Sequence, residues 1–358
     1  MYSLEDLGWN SYFQQQLEQL NTPGAVPGRV AEELKGAYRL YTQRGLAPAV
    51  VPGRLLHRAS GREDLPAVGD WVLAGPLPGE ERMLVLELMD RRTKLSRQQA
   101  GEKTGEQILA ANVDVVFLIA SLNKELNLRR IERYLTAIWE SGARPVIALN
   151  KADLSDEAET LCLEVQSVAP GVPVVLTSAA TGDGVADLAS SMRTGETGVF
   201  VGSSGVGKSS LINRLTGLQS QIVSEIREAD SRGRHTTTSR QMLVAPGLGV
   251  IIDTPGLREL QIWDSGAGGG SAVFSEIEEL AAGCSFSDCR HETEPGCAVR
   301  VAIEEERLDE GRFSSYRKLE REQMYVARKH DKSLQIEETR RWKQIHKENR
   351  RRMRLRGR

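Results

Sequence analysis

The first 111 residues alternate between short apolar runs and turn-forming residues. Residues 1–27 place apolar side chains at helical spacing and end at Pro23-Gly24, which predicts a short helical extension. Beyond it, β-like runs interrupted by glycine and proline indicate several short strands, as in a small barrel. A simple β-meander would give the same pattern. The runs lie around Ala37–Thr42, Ala49–His57, Asp70–Ala74 and Met83–Met89.

From residue 112 the pattern changes to apolar strands that alternate with amphipathic helices. Nearly continuous apolar strands separated by helices predict an α/β fold with a parallel sheet covered on both faces. The predicted strands are Val115–Ala120, Pro145–Leu149, Val172–Thr177, Val199–Val201, Met242–Ala245 and Val250–Ile252. The predicted helices are Leu128–Ser141, Glu157–Val168, Gly184–Met192 and Lys208–Thr216.

The rest of the chain contains a predicted loop, a flexible joint and a charged helical region. Residues 217–240 lack strong periodicity and predict a long loop, whereas Gly266–Gly270 predicts a joint. Residues near 301–330 have a charged helical pattern. We therefore expect a helical extension at 1–27, a barrel at 28–111, an α/β domain at 112–265, a Cys/His-containing, mainly helical domain at 266–332 and a basic tail at 333–358.

Composition narrows the class of protein. At 358 residues the chain has room for two or three domains of roughly 100–200 residues each. No apolar run approaches the roughly 18 residues of a membrane span, and residues 1–27 lack the basic start and apolar stretch of a secretory signal. We therefore expect a cytoplasmic protein without a membrane partner.

Charge is distributed unevenly along the chain. The whole chain has a net charge of −2, but Arg340–Arg358 contains ten Lys/Arg against a single acid, Glu348. A basic tail on an acidic body favours a polyanionic partner. A tail that only improves solubility is the alternative.

The strongest motif is the run from Gly202 to Ser209, which reads Gly-Ser-Ser-Gly-Val-Gly-Lys-Ser. It follows a predicted strand and begins a predicted helix, which is the context of a phosphate-binding P-loop. Glycines let backbone N–H groups curl around phosphate oxygens, Lys208 supplies a positive charge, and Ser209 offers a hydroxyl to Mg²⁺. Asp253-Thr254-Pro255-Gly256 follows another strand, where Asp253 can hold Mg²⁺ through water and the Gly256 N–H can bind the γ-phosphate.

A second pair of motifs indicates guanine as the base. Asn150-Lys151-Ala152-Asp153 follows a strand, and the Asp153 carboxylate can accept the ring N–H and the exocyclic amine of guanine. Adenine offers no such donor pair, so GTP is favoured over ATP; a helix N-cap is the alternative role for Asp153. Thr177-Ser178-Ala179 resembles the loop that supports the base. The expected GTP contacts are Asn150, Lys151, Ala152, Asp153, Ser178, Ala179, Gly202, Ser203, Ser204, Gly205, Val206, Gly207, Lys208, Ser209, Ser210 and Gly256.

Four residues near the C-terminus predict a metal site. Cys284, Cys289, His291 and Cys297 provide three thiolates and one imidazole, the ligand count of a closed structural Zn²⁺ site. Free thiols in a loop are the alternative. The fourth cysteine, Cys162, lies on an apolar helical stretch and is expected to pack in the core.

The order of the motifs is unusual, because the guanine motifs precede the P-loop. The sequence therefore resembles a circularly permuted GTPase. Together with the barrel-like segment and the Cys-x4-Cys-x-His-x5-Cys cluster, it resembles the small-ribosomal-subunit-dependent GTPases of bacteria over about residues 28–330. That resemblance implies an N-terminal OB-fold, a role late in small-subunit maturation, contact with ribosomal RNA, one Zn²⁺ per chain, and Mg²⁺ with the nucleotide.

The resemblance also assigns a switch segment to residues 231–238. Within it Thr237, or the neighbouring Thr236, is implied as a Mg²⁺ ligand beside Ser209 and Asp253. Leu257 stands where many GTPases have a water-orienting glutamine, so His235 becomes the candidate catalytic residue. An RNA-contacting or solvated histidine is the alternative.

The sequence therefore predicts a monomeric GTP hydrolase that binds the small ribosomal subunit, is stimulated by it and is released on hydrolysis. An RNA-binding checkpoint module that uses GTP as a conformational ligand is one alternative. A GTPase acting on another RNA, such as tRNA, is the other.

Overall fold

Five short strands near the N-terminus close into a barrel. The computed structural model describes residues 2–34, 36–77, 79–98, 106–122, 126–217, 240–245, 247–253 and 273–330. The barrel strands pair in the order β1-β2-β3-β5-β4 and β4 returns to β1, with β3 and β5 parallel. This closed five-stranded arrangement confirms the OB-like barrel. The strands are β1 (Val26–Leu34), β2 (Ala37–Thr42), β3 (Gly45–Val50), β4 (Trp71–Pro76) and β5 (Met83–Leu88).

One predicted strand of the barrel is wrong in its second half. The run Ala49–His57 is strand only to Val50, and helix α2 occupies Gly53–Arg58. Pro52 lies between the two, and proline has no N–H with which to continue strand pairing. Before the barrel, helix α1 (Ser11–Leu20) confirms the predicted N-terminal helix.

The second half of the main sheet carries the α/β domain. Its strands are ordered β10-β9-β8-β11-β13-β12, and all neighbours are parallel except β12 and β13. That pair is antiparallel, contrary to the expected all-parallel sheet, because a short turn joins the two strands. The strands are β8 (Val115–Ser121), β9 (Arg144–Asn150), β10 (Val174–Leu176), β11 (Thr197–Val201), β12 (Gln241–Ala245) and β13 (Gly249–Asp253).

Helices lie between these strands and beyond them. Helix α6 begins at Lys208, as the P-loop pattern requires, and α3 follows β8. The helices are α3 (Leu128–Glu140), α4 (Ala158–Val168), α5 (Val185–Ser190), α6 (Lys208–Thr216), α7 (Ser275–Ala282), α8 (Ala298–Glu304) and α9 (Glu310–His330). Within the described ranges, none of the helices combines the length and the apolar character needed to cross a membrane.

The barrel and the α/β domain share one sheet of eleven strands. Strand β1 pairs with β12, where Glu32 lies opposite Gln241. A separate hairpin of β6 (Lys94–Gln98) and β7 (Glu106–Ala111) connects the two halves along the chain. Most of the predicted 217–240 loop, the Gly266–Gly270 joint and the basic tail lie outside the described residues. The domain boundaries stay a prediction.

Candidate nucleotide site and metal centre

The nucleotide motifs meet at one edge of the sheet. Strands β8, β9, β10, β11 and β13 are parallel neighbours, so their carboxyl ends lie along the same edge. Ligands of open α/β sheets bind at this edge. The tetrad that starts at Asn150, the loop that starts at Thr177, the P-loop that starts at Gly202 and the carboxylate of Asp253 each stand at the end of one of these strands.

The P-loop is shaped by glycine. A side chain at Gly202 would place its Cβ 2.2 Å from the Ile119 carbonyl oxygen, and one at Gly207 would lie 2.2 Å from Asn150 Nδ2. Both glycines also have positive φ values, 141° and 97°. Neither position accepts a Cβ without movement of the backbone or of Asn150. The sequence pattern and the packing therefore require the same residue.

Lys208 and an arginine on α3 hold the start of the loop. The Lys208 ammonium donates to the carbonyl oxygens of Gly202 and Ser203 at 2.8 and 2.7 Å. This contact places its positive charge inside the loop that cradles phosphate. Arg130 NH1 donates to Ser203 Oγ at 2.8 Å. Arg130 was not among the residues predicted from sequence.

Asn150 joins all three loops of the site. Its Nδ2 donates to the Val206 carbonyl in the P-loop at 2.8 Å. Its Oδ1 accepts from the Ala179 N–H at 3.0 Å and from Thr177 Oγ1 at 3.4 Å. The side chain is 1% exposed, so these bonds form out of water. A buried amide paired on both sides fixes the loops relative to each other.

Of the other residues of the tetrad, Lys151 and Ala152 are half-buried and Asp153 is exposed. Lys151 has a left-handed φ of 64°, directly after the end of β9. The Ala152 N–H binds the Thr177 carbonyl at 3.1 Å, so the tetrad and the 177–179 loop lie side by side. Asp153 is exposed in a short turn at Ala152–Leu154, where its carboxylate is open to a ligand.

Several predicted residues fall outside the described part of the chain. These are His235 and Thr237 of the switch segment, and Gly256. Asp253 is described as the last residue of β13, half-buried and next to the strand that leads into the P-loop. Ser204, Ser209 and Ser210 are exposed at the mouth of the loop or on the first turn of α6.

The Cys/His cluster has the dimensions of a metal site. Its four ligand atoms lie within 4.8 Å of one another. Cys284 Sγ is 3.5 Å from His291 Nδ1 and 3.9 Å from Cys297 Sγ, and His291 Nδ1 is 3.3 Å from Cys297 Sγ. Tetrahedral zinc with ordinary bond lengths requires about 3.8 Å between two sulfurs and about 3.5 Å between nitrogen and sulfur. The donor set therefore fits a closed Zn²⁺ site.

The surroundings shift the pKa values of three of these groups in different directions, and the pKa of Cys289 is raised to about 11, mainly by burial. Burial raises the pKa of the Cys284 thiol, but hydrogen bonds from the N–H groups of Val299 and Ala298 at the start of α8, together with hydrogen bonds to the Cys289 and Cys297 thiols, lower that pKa below its ordinary value. The thiolate is the form that binds metal. Burial, assisted by the positive charge of Arg317, lowers the pKa of His291 and so keeps the imidazole neutral.

Comparison with known proteins finds relatives that match nearly the whole chain. A relative from Opitutus terrae, described as small ribosomal subunit biogenesis GTPase RsgA, is 45% identical over 99% of both chains. One from Oceanobacillus iheyensis, described as small ribosomal subunit biogenesis GTPase RsgA 1, is 43% identical over 92% of this chain and 94% of the relative. The chain belongs to the RsgA GTPase family.

Family and structure comparisons agree with this assignment. The RsgA GTPase family matches residues 88–263, and a family described as 50S ribosome-binding GTPase matches residues 197–343. The crystal structure of YjeQ from Thermotoga maritima superposes with a TM-score of 0.61 at 26% identity, over 84% of this chain and 99% of that one. YloQ, described as a circularly permuted GTPase, superposes at 0.59 and 21% identity, over 87% and 98%, and supports the fold.

The chain is therefore a GTPase with a circularly permuted fold. Strands β9 and β10, which end at the 150–153 and 177–179 motifs, precede β11 in the sequence. In the sheet they lie on the far side of β8 from β11, so that their motifs still meet the P-loop at the same edge. P-loop GTPases use Mg²⁺ with the nucleotide, and Ser209 and Asp253 lie at the edge of the sheet where the nucleotide motifs meet.

Proposed function

We propose that this GTPase binds the small ribosomal subunit, assists its late maturation and is released when GTP is hydrolysed. The proposal is supported by the convergence on Asn150 of three loops that carry predicted nucleotide-binding residues. It is further supported by relatives named small ribosomal subunit biogenesis GTPases over nearly the whole chain. An OB-like barrel built into the same sheet supplies a surface of a type that binds RNA.

The test is GTP turnover by the full chain, titrated separately with small subunits, large subunits and tRNA. Activators of other GTPases accelerate hydrolysis by roughly 10³–10⁵-fold. We expect stimulation by small subunits alone. Stimulation by large subunits or tRNA instead would move the proposal to another RNA, and binding to small subunits without turnover would favour a checkpoint module.

In the proposed nucleotide site, Asp153 reads the guanine donors while the P-loop and Lys208 hold the phosphates. Replacing the carboxylate by an amide in Asp153→Asn exchanges one acceptor for a donor. Guanine should then bind about 100-fold more weakly, because its exocyclic amine would face a donor. Xanthine, which carries a carbonyl in place of that amine, should bind more tightly. Competition between GDP and XDP measures this; unchanged preference for GDP would remove Asp153 from base recognition.

Ser209, Asp253 and Thr237 are proposed Mg²⁺ ligands, and His235 is the proposed catalytic residue. Leu257 has no hydrogen-bonding group with which to orient water, so another residue must do so. His235→Ala should retain GTP affinity and lose subunit-stimulated hydrolysis. Single-turnover rates with saturating small subunits test this, and a normal stimulated rate would exclude the histidine.

We infer that Cys284, Cys289, His291 and Cys297 hold one structural Zn²⁺ per chain. The fit of the ligand distances to a tetrahedral ion supports this. With four protein ligands no position is left open for a reacting water, so the metal would act on stability and shape.

A further inference from the structure

An arginine outside all of the sequence motifs, Arg214, donates hydrogen bonds to the loop that starts at Thr177. Arg214 lies on α6, the helix that the P-loop begins. Its Nε donates to the Ala179 carbonyl at 3.0 Å and its NH2 donates to the Ala180 carbonyl at 2.7 Å. Two parallel bonds from one planar guanidinium fix two successive peptide planes.

The other amides of this loop are already committed to acceptors within the protein. Ser178, Ala179, Thr181, Gly182 and Asp183 donate to an acceptor at 2.8 to 3.3 Å each. Among the residues that the structure describes, no acceptor faces the Ala180 N–H, and Ala180 is exposed. Between Thr177 and Asp183, the Ala180 N–H is therefore the one backbone donor without a described acceptor.

The geometry of the peptide links that donor to Arg214. In a trans peptide the carbonyl of one residue and the N–H of the next point in opposite directions. Arg214 holds the Ala179 carbonyl on the α6 side, so the Ala180 N–H points away from α6. Ala152 of the tetrad is bound to Thr177 of the same loop, which brings the tetrad beside it.

Guanine has an acceptor, its keto oxygen, that such a donor can bind. Its ring N–H and amine are donors for a carboxylate, whereas its keto oxygen O6 is an acceptor and is the atom that distinguishes this edge from adenine. We propose that Arg214 is a positioning residue for base recognition, which aims the Ala180 N–H at O6. The inference rests on the proposed guanine site.

The test measures nucleotide affinity of the full chain in Mg²⁺, by competition, for GDP, 6-thio-GDP and IDP. Sulfur at position 6 is a poor acceptor, so 6-thio-GDP weakens the O6 contact, while IDP keeps O6 and lacks the amine. Arg214→Ala should bind GDP and IDP about tenfold more weakly but 6-thio-GDP less than threefold more weakly. Arg214→Lys, which keeps one donor, should recover part of the GDP affinity.

A neighbouring change controls for the helix. Asn213 is exposed on α6, and Asn213→Ala should leave the three affinities unchanged. With saturating GTP, the stimulated turnover of Arg214→Ala should match the wild type while its KM rises, because only the base contact is altered. A purely structural defect would instead lower turnover as well.

The other possible outcomes would each contradict the inference. Equal losses for GDP and 6-thio-GDP in Arg214→Ala would show that Arg214 acts elsewhere than on O6, and an unchanged GDP affinity would overturn the inference directly. Equal binding of GDP and 6-thio-GDP by the wild type would also overturn it. If the wild type bound ADP as well as GDP, the guanine site itself would fail, before any Arg214 variant was made.

Discussion

Two junctions attach flanking units to the GTPase sheet, and they use buried arginine in different ways. At the barrel junction, Arg29 is 1% exposed and its guanidinium donates to main-chain carbonyls and a hydroxyl. At the C-terminal junction, Arg312 is 9% exposed and donates to Glu132, a carboxylate of α3 that is fully buried. The arginine at the first junction is paired with neutral acceptors, whereas the arginine at the second junction is paired with a carboxylate.

The Arg29 guanidinium donates hydrogen bonds to four separate parts of the chain. Its acceptors are the carbonyls of Leu7, Gly69 and Asn112 and the hydroxyl of Thr197. Burial lowers the pKa of Arg29 to about 9, with the nearby Asp70 acting in the opposite direction, so the group stays protonated at neutral pH. Because β1 already pairs with β12, the main chain itself joins the barrel to the GTPase sheet.

The C-terminal unit is joined by side chains. Arg312 also donates to the Val273 carbonyl at 2.8 Å and to Glu276, while its guanidinium lies 5.1 Å from the Phe274 ring centre. Cys297, Val299 and Phe274 pack in the same apolar cluster as Ile131 and Leu135 of α3. The described part of this unit contributes helices and no strand to the sheet. The described part of the C-terminal unit, which has no strand paired to the sheet, is therefore attached by a buried ion pair and by apolar packing, and the proposed Zn²⁺ would hold its own loops together.

Zinc removal should give the largest contrast between the two junctions. Structural zinc contributes apparent binding energies of about 10–16 kcal/mol in zinc-finger peptides. Chelation, or Cys297→Ala, should therefore expose the 273–330 segment to hydrogen exchange while the barrel keeps its protection. Metal analysis should find one Zn²⁺ per wild-type chain.

Cys162→Ala is the matched control for the metal, since Cys162 lies on α4 and is not among the four clustered ligands. It should retain one Zn²⁺. A full complement of zinc in Cys297→Ala, or unchanged exchange after chelation, would contradict the structural role.

Arg29→Met should give the next largest effect. It leaves the carbonyls of Leu7 and Asn112 and a buried hydroxyl without this donor, each at about 1–3 kcal/mol, while the Gly69 carbonyl keeps its bond from Asn112 Nδ2. We expect a loss of about 4–6 kcal/mol in the free energy of unfolding, measured with denaturant. Arg29→Lys, which keeps the charge and fewer donors, should lose less. A loss below 1 kcal/mol in Arg29→Met would show that water or relaxation replaces the arginine.

Arg312→Met should cost about 3 kcal/mol, because removing one partner leaves the buried Glu132 carboxylate paired with Arg129 alone among the described residues. Burial already raises the pKa of Glu132, partly offset by Arg129 and Arg312. A carboxyl with a raised folded pKa stabilises most below its unfolded pKa and loses that contribution as pH rises. The cost of Arg312→Met should therefore shrink when unfolding is measured at pH 5 instead of pH 7; a pH-independent cost would refute the pairing.

The smallest effect is expected at the exposed Arg300–Glu304 pair on α8, 3.9 Å apart. Surface pairs contribute about 0–1 kcal/mol. Arg300→Ala should change the free energy of unfolding by about 0.5 kcal/mol or less, and less again in high salt. A loss comparable with that of Arg312→Met would mean that burial is not what distinguishes the C-terminal junction.

Local patterns predicted most of the nucleotide and metal residues. Glycine spacing and a lysine identify the P-loop because backbone curvature and phosphate charge demand those residue types locally. Asn150 and Asp153 are recognisable for the same reason, as are the four metal ligands. The Ala49–His57 error is also local: apolar content continued past Pro52, but strand pairing did not.

Arg214, Arg130 and Arg312 could not be found in this way. Arginines are common on helices, and only the fold shows which ones reach a distant carbonyl, hydroxyl or carboxylate. The same applies to Asn150, whose type was predicted but whose bonds to Val206 and Ala179 span 56 and 29 residues of sequence.

The amino-acid sequence alone identified the P-loop motif, the second nucleotide motif that begins at Asn150, the four Cys/His residues that cluster in the fold, and the permuted order of the motifs. These depend on short-range backbone and side-chain requirements that a few adjacent residues satisfy. The tertiary structure decided how the pieces are held, through the β1–β12 pairing, the Arg29 hydrogen bonds and the Arg312–Glu132 ion pair. Those contacts join residues far apart in sequence, and burial gives them an energy that no local pattern records.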